Sequence, residues 1–269
     1  MLYWARFLGV SLFVNGGNML RAVILVVSLV LSSSIVLAQE TVRLIGNVSP
    51  PYIDKQLPEQ GLALELVNHV FKRAGYSTEI KIDTWPRAME GVELGIFDAL
   101  ASAWYTEERA KTFLFSDPYL SSKLVLVKSR SDQGDYFELA HLAGKRLGIR
   151  VDYAYGVDLD SVPNLKLVEE NHLIQNLLNL LNGSVDFVIG DQRTLALQLH
   201  KYLDHQVHKF EVVDINLPVR KRHVAASRAI AGEDKMIAAF NAALAETLKD
   251  GSHAAIVQKW DKRYGLVGQ

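Results

Sequence analysis

The 269 residues contain no cysteine. That excludes disulfides, thiol catalysis, cysteine-based metal sites and a lipid-anchored cysteine at an export cleavage site. Neither charge sign dominates. With 29 basic and 30 acidic side chains the formal charge is −1, and nothing in that balance points to nucleic acid or an acidic membrane surface. There is no HExxH, no Gly-rich phosphate loop with its Lys, and no G-x-S-x-G, so the common enzyme signatures are missing too. The histidines of LHKYLDHQVH, at 200, 205 and 208, do not fall at the i, i+4 spacing that puts two metal ligands on one helical face. A solvated helix end is the reading of that stretch, and no metal or cofactor is expected.

Long apolar runs are scarce, and the main one is terminal. Met19-Leu20-Arg21 precedes AVILVVSLVLSSSIVLA, which ends at Ala38. A basic start, an apolar middle and a small-residue end form the pattern of a secretory signal peptide, with cleavage expected after Ala38 and Met1 or Met19 as the start. A membrane anchor is the alternative, but the run turns Ser-rich before it reaches a comfortable spanning length. Arg6 and Arg21 lie in residues 1–38, the part expected to be removed, which holds no Asp or Glu, so the remainder carries 27 basic and 30 acidic residues, a charge of −3. The expectation is an exported protein, free in the periplasm.

The remainder alternates short apolar strands with amphipathic helices. TVRLIG (41–46), TEIKI (78–82), FDALASA, KLVLV, KRLGI, LKLV, VDFVIG and FEVV read as strands. In GLALELVNHVFKRAG, Leu62, Ala63, Leu66, Val67, Val70, Phe71 and Ala74 fall on one helical face. Pro86 suits the first helical position of the next helix, and Gly95 closes it. Strands separated by helices predict an α/β fold with parallel sheets.

One pattern occurs twice. ELGIFDALASAWYTEER (93–109) and LNGSVDFVIGDQRTLAL (181–197) each run from a helix-ending Gly to Asp, a strand, and a polar residue that opens a new helix. Ligands in α/β sheets bind beyond the carboxyl ends of strands. The first copy puts Arg109 at such an end and the second puts Asp191 there. Arg109 is out of place electrostatically. Thr106 predicts a helix N-cap, and a cation in the first turn opposes the helix dipole by a few tenths to about 1 kcal/mol. A surface pair with a neighbouring Glu would explain it, and so would capture of an external anion. If the two units face one another, Arg109 and Asp191 flank one cleft, which would suit a zwitterion.

PPY (50–52), the G-x-x-x-E-L of 61–66, the aromatic of TWPRAME, the G-x-x-D-A of 95–99, TEER, FSDPY and the C-terminal AFNAALAETLKDGSHAAIVQKWDKRYG together resemble the periplasmic substrate-binding proteins of amino-acid ABC transporters, across nearly all of 41–265. The resemblance implies two α/β lobes of the type II periplasmic binding fold joined by a two-strand hinge. Lobe 1 would comprise 41–127 and 218–269, and lobe 2 would comprise 128–217. It also implies a monomer that serves an inner-membrane permease. On the same grounds Arg109 would clamp a ligand carboxylate and Asp191 an ammonium. Tyr52 and Trp85 would pack on the ligand's flat or aliphatic part, with core packing as the alternative for Tyr52. Where relatives carry a small Ser/Thr stretch, this chain has ASAWYT, so Ser102 and bulky Trp104 are expected at the cleft. In the second lobe GIRVDYAYG (148–156) replaces the usual anion loop, which puts Arg150 and Tyr153 there. Arg87 beside Trp85 adds a further guanidinium. Extra arginines would suit an acidic or otherwise anionic ligand, and solvent exposure is the alternative for each.

The same fold also hosts exported cyclohexadienyl dehydratases. Their reaction needs a carboxylic acid near the leaving hydroxyl, and Glu65, Glu107, Glu108 and Asp152 are available. Glu65 reads better as a helix residue near the cleft rim, and the TEER pair as dipole compensation. A ligand sensor is a third reading. The basic run VRKRH (219–223) reads as a solvated or hinge-adjacent face.

Overall fold

The computed structural model describes residues 39–264, so the signal-peptide reading lies outside the described residues. Two mixed sheets carry the fold. The first has the order β2-β1-β3-β11-β4, with β5 also on β11. Its strands are β1 (Thr41–Asn47), β2 (Ser77–Asp83), β3 (Ala99–Trp104), β4 (Phe113–Phe115), β5 (Leu120–Ser122) and β11 (Arg220–Ser227). The second has the order β10-β6-β9-β7-β8, from β6 (Leu124–Ser129), β7 (Arg146–Arg150), β8 (Lys166–Glu170), β9 (Phe187–Asp191) and β10 (Phe210–Val213). The expected parallel pairing holds for β1 with β2 and β3, and for β7 with β8 and β9. β11 and β6 run antiparallel to their neighbours, because in each the chain is returning from the other sheet.

Among the described residues seven α-helices cover the sheets: α1 (Leu62–Arg73), α2 (Trp85–Glu93), α3 (Glu107–Thr112), α4 (Leu173–Leu181), α5 (Gln192–Tyr202), α6 (Glu233–Asp250) and α7 (Ser252–Arg263). The apolar stripe of α1 packs with Phe240, Leu244 and Trp260 of α6 and α7 in the largest core cluster. Glu65 is part of that packing. It accepts from Trp260 Nε1 at 2.7 Å and from Lys259, so it holds α7 to α1 rather than standing at a cleft rim. Pro86 occupies the second position of α2, after the N-cap Thr84.

The repeated sequence pattern has a common structural basis. Asp98 accepts from the backbone N–H and guanidinium of Arg43 at the start of β1. Asp186 accepts likewise from Arg146 N at 2.8 Å and Arg146 Nη2 at 2.6 Å at the start of β7. In both sheets a carboxylate just before the central strand holds the first strand's Arg, and fixes register beside the following βα turn.

The chain crosses between sheets twice, after Ser122 and again between Val213 and Arg220. Leu124–Ser129 pairs entirely within the second sheet. The first crossing therefore falls about five residues earlier than the expected boundary at 127. Lys123 and Asp214 tie the two crossings at 2.6 Å; both are half-exposed, so the pair contributes little to stability.

Glu233 opens α6 and is buried. Burial, and then the nearby Asp98 carboxylate, push its carboxyl up from 4.5 to about 7. A raised folded-state value means the folded protein binds the extra proton. This contribution is fully present below about pH 4.5 and is lost as pH rises through 7. Glu233→Gln is therefore expected to raise Tm at pH 8 and leave it unchanged at pH 4, read by thermal melts at the two pH values.

Candidate functional site

The loop SPPY presents its carbonyls to the start of α1. Leu62 N–H donates to Pro51 O and Ala63 N–H to Tyr52 O, both at 3.0 Å. These satisfy two of the first-turn donors that a helix leaves open. The contact demands Gly61, whose φ is +114°; a Cβ there would lie 2.3 Å from Tyr52 O. Tyr52 is thereby held with its ring fully buried.

A cavity of about 660 Å³ lies between the two sheets. The first sheet contributes Trp85, Ser102, Trp104, Arg109 and Arg222, and the second contributes Arg150 and Tyr153. Trp104 leaves β3 of the first sheet but packs in the second sheet's core cluster, where its ring meets Tyr153 edge-on at 4.5 Å.

Arg109 is set by its own helix. Thr106 caps α3, its Oγ1 accepting from Arg109 N–H at 3.1 Å. The guanidinium folds back so that Nη1 donates to Trp104 O at 2.9 Å, and its Cζ sits 4.7 Å from the centre of the Trp85 ring. Glu107 and Glu108 engage other groups, Tyr105 and Lys111. Among the described residues Arg109 makes no ion pair, so the surface-pair explanation for it fails. Burial, and then the neighbouring Arg220, lower its pKa from the usual value; an incoming anion would relieve both effects.

Arg150, at the end of β7, stacks 4.5 Å above Tyr153 and donates through Nε to Asn171 O at 3.3 Å. Arg222 was not foreseen. It lies on β11 within the run read as a solvated face, yet is only 5% exposed. Nε donates to Ser122 Oγ at 3.0 Å, Nη1 to Ser102 Oγ at 3.1 Å, and Cζ lies 3.5 Å from the Tyr52 ring centre. Nη2 has no partner among the described residues. Period-2 alternation was the available signal, since it puts Arg220 and Arg222 on one face of a strand. Arg220 also turns inward, stacking 5.6 Å from Trp104 and donating to Tyr105 O at 2.8 Å.

Three expected site residues do not reach the cavity. Asp191 is 2% exposed and caps α5: Oδ1 accepts from Thr194 N–H at 2.9 Å and from Thr194 Oγ1 at 3.1 Å. Tyr52 Oη donates to the same carboxylate, 2.7 and 2.8 Å from its two oxygens. Burial, then the Asp191 charge, push the Tyr52 phenol well above its ordinary range, so it remains a donor at any physiological pH. Asp191 is thus satisfied from within the protein, and Tyr52 is core and inter-sheet packing. Arg87 is 74% exposed and pairs with Asp83 at 3.6 Å across one helical turn, outside the cavity. Tyr52→Phe strips Asp191 Oδ2 of its hydrogen bond and is expected to lower stability by about 1–3 kcal/mol, read as a lower urea midpoint at unchanged slope.

Asn47, Ser49, Asn171 and His172 also line the cavity and were not foreseen. They lie at a strand end or in loops, where residue type alone does not reveal direction. Of the acids weighed for dehydratase-like chemistry, Asp152 lines the cavity while Glu65, Glu107 and Glu108 do not. His200 pairs with Asp204 at 3.5 Å on the surface, and among the described residues no His/Asp/Glu group is arranged to hold a metal.

The family model for bacterial extracellular solute-binding proteins, family 3, matches residues 45–263, and the chain belongs to that family. Similar proteins include the putative ABC transporter arginine-binding protein 2 of Escherichia coli K12, 25% identical over 83% of this chain and 91% of that one. The L-cystine-binding protein TcyA of Bacillus subtilis is 26% identical over 82% of this chain and 80% of its own length. Among solved structures, an ancestral arginine-binding protein bound to arginine aligns with a TM-score of 0.69 at 22% identity, covering 82% of this chain and 97% of that one. The two-lobed binding-protein fold is the one this chain adopts.

Proposed function

We propose that the protein captures a small carboxylate-bearing solute, an amino acid or a related compound, in the cavity between its sheets and hands it to the permease of an ABC transporter. Arg109 carries the proposal. It is a half-buried guanidinium oriented by Trp104 O and Trp85, lines a cavity, and makes no ion pair among the described residues. It receives the ligand carboxylate. Trp85, Trp104 and Tyr153 form the apolar walls, and Ser102 reaches the site through Arg222.

A ligand that touches both sheets stabilises the arrangement in which they approach, and so shifts the population toward a closed form that a membrane partner reads. Names of the relatives support transport of an amino acid, and the N-terminal pattern supports export to the periplasm, where the protein acts as a monomer. Capture rather than catalysis is favoured because three of the four acids weighed for catalysis, Glu65, Glu107 and Glu108, lie outside the cavity, and the fourth, Asp152, is exposed at its wall.

The test is a thermal-shift screen of the purified protein with amino acids, their deaminated and decarboxylated analogues, and dicarboxylates. A ligand at 100 times its Kd stabilises by about 2.7 kcal/mol, a Tm rise on the order of 5–10 °C for a chain of this size. Shifts confined to carboxylate-bearing compounds are expected. A shift produced equally by the decarboxylated analogues would remove Arg109 from its role.

A further inference from the structure

We infer that the solute is a dianion of the dicarboxylate type, and that the cavity does not read an α-ammonium through Asp191. The inference rests on the solute-binding reading above and narrows it. Three guanidiniums, Arg109, Arg150 and Arg222, line one cavity, and among the described residues none of them forms an ion pair. Two carboxylates line it with them, Asp83 and Asp152. Asp83 is already engaged, 3.6 Å from Arg87 and accepting from Thr84 N–H at 2.8 Å. Asp152 stands exposed in the left-handed backbone region, φ +57°. Three cations face one free carboxylate in the lining; Asp191, behind the wall, offsets part of the Arg222 charge, and the cavity keeps a positive excess. Cations that line one cavity without ion-pair partners are unfavourable until an anion arrives.

The carboxylate expected to receive an ammonium is occupied. Asp191 takes the Tyr52 phenol and both donors of Thr194, and it does not line the cavity. The unpaired guanidiniums come from both sheets, Arg109 from the first and Arg150 from the second. A carboxylate at each end of an aliphatic spacer engages one Arg per sheet, with the spacer against Trp85, Trp104 and Tyr153. Arg222 lies in the first-sheet wall, where its charge attracts the ligand and its position is held by Ser102 and Ser122.

Isothermal titration of the full protein with malonate, succinate, glutarate and adipate, each beside its monoamide, and with L-glutamine and L-arginine, tests this. The best dicarboxylate is expected to bind at least about tenfold tighter than its own monoamide and than either amino acid. A smaller margin, or tighter binding of glutamine or arginine, overturns the inference and leaves the solute-binding reading intact. Silence from every compound at ~10 mM overturns both. Arg150→Gln supplies an independent readout. It is expected to weaken the dicarboxylate about tenfold or more and the monoamide by markedly less, whereas equal loss for both removes Arg150 as the second receptor. A folded melt of the variant accompanies the titration.

Discussion

Arg222→Met is expected to abolish solute binding and leave the unliganded protein close to the wild type in stability. Arg222 is a buried cation whose only hydrogen bonds go to two serine hydroxyls, with one guanidinium nitrogen unpartnered among the described residues. Desolvating a charge is costly, but the nearby Asp191 carboxylate favours the charged form of Arg222 and offsets part of that cost, so the gain from exchanging it for an apolar side chain of similar volume is small. The two hydroxyls left behind oppose that gain by about 0.5–1.5 kcal/mol each. Met fills the volume against the Tyr52 and Trp104 rings, so no cavity opens. The ligand loses a desolvated cation, which weakens binding by about 2–5 kcal/mol, roughly 30-fold to several thousand-fold in Kd. Melting temperature and calorimetric affinity are read on the same preparation. A clear fall in Tm with affinity retained would make Arg222 a structural residue and remove it from the site.

Arg109→Ala carries the second large effect, and its stability readout has a different cause. Arg109 gives one hydrogen bond to Trp104 O and stacks on Trp85. α3 keeps its Thr106 cap without it, because the cap uses the backbone N–H of residue 109. The loss of fold stability is expected to stay near 1 kcal/mol, the value of one hydrogen bond with a partly exposed cation–π contact. Affinity falls further, again by about 2–5 kcal/mol, because the ligand carboxylate loses a bidentate partner. Arg109→Lys recovers only part of it, since an ammonium cannot reproduce the fork. Wild-type affinity in Arg109→Ala would sink the proposed clamp.

Much of the fold was legible in the sequence because it rests on local periodicity. The stripe of α1 and the Thr106 cap follow from spacing and residue type. The doubled Gly-x-x-Asp pattern was visible in the sequence, while the matching Arg43–Asp98 and Arg146–Asp186 pairs that it serves were not. β4 and β5 were missed, being three residues each and too short to show alternation. The first crossing was placed late because KLVLV reads as a strand without saying which sheet it joins. In the site, Trp85, Ser102, Trp104, Arg109, Arg150 and Tyr153 came together as expected. Asp191 and Tyr52 did not, and the reason is a bond across 139 positions that no local pattern encodes. Arg222 was hidden by its neighbours: four polar residues in a row look solvated, while a central strand is buried on both faces from Arg222 onward whatever its composition.

The place of β11 has a consequence for how the chain assembles. It sits between β3 on one side and β4 and β5 on the other, though it is the last strand in the chain. When the polypeptide emerges from its N-terminus, the second sheet has all five strands once Val213 is out. The first sheet has a gap at its middle until Arg220–Ser227 arrives. The later-encoded half of the molecule can therefore close first, while β3, β4 and β5 wait with open edges that another chain could pair with. Arg222 enters with that final strand, so the solute cavity and the first sheet are completed in the same step.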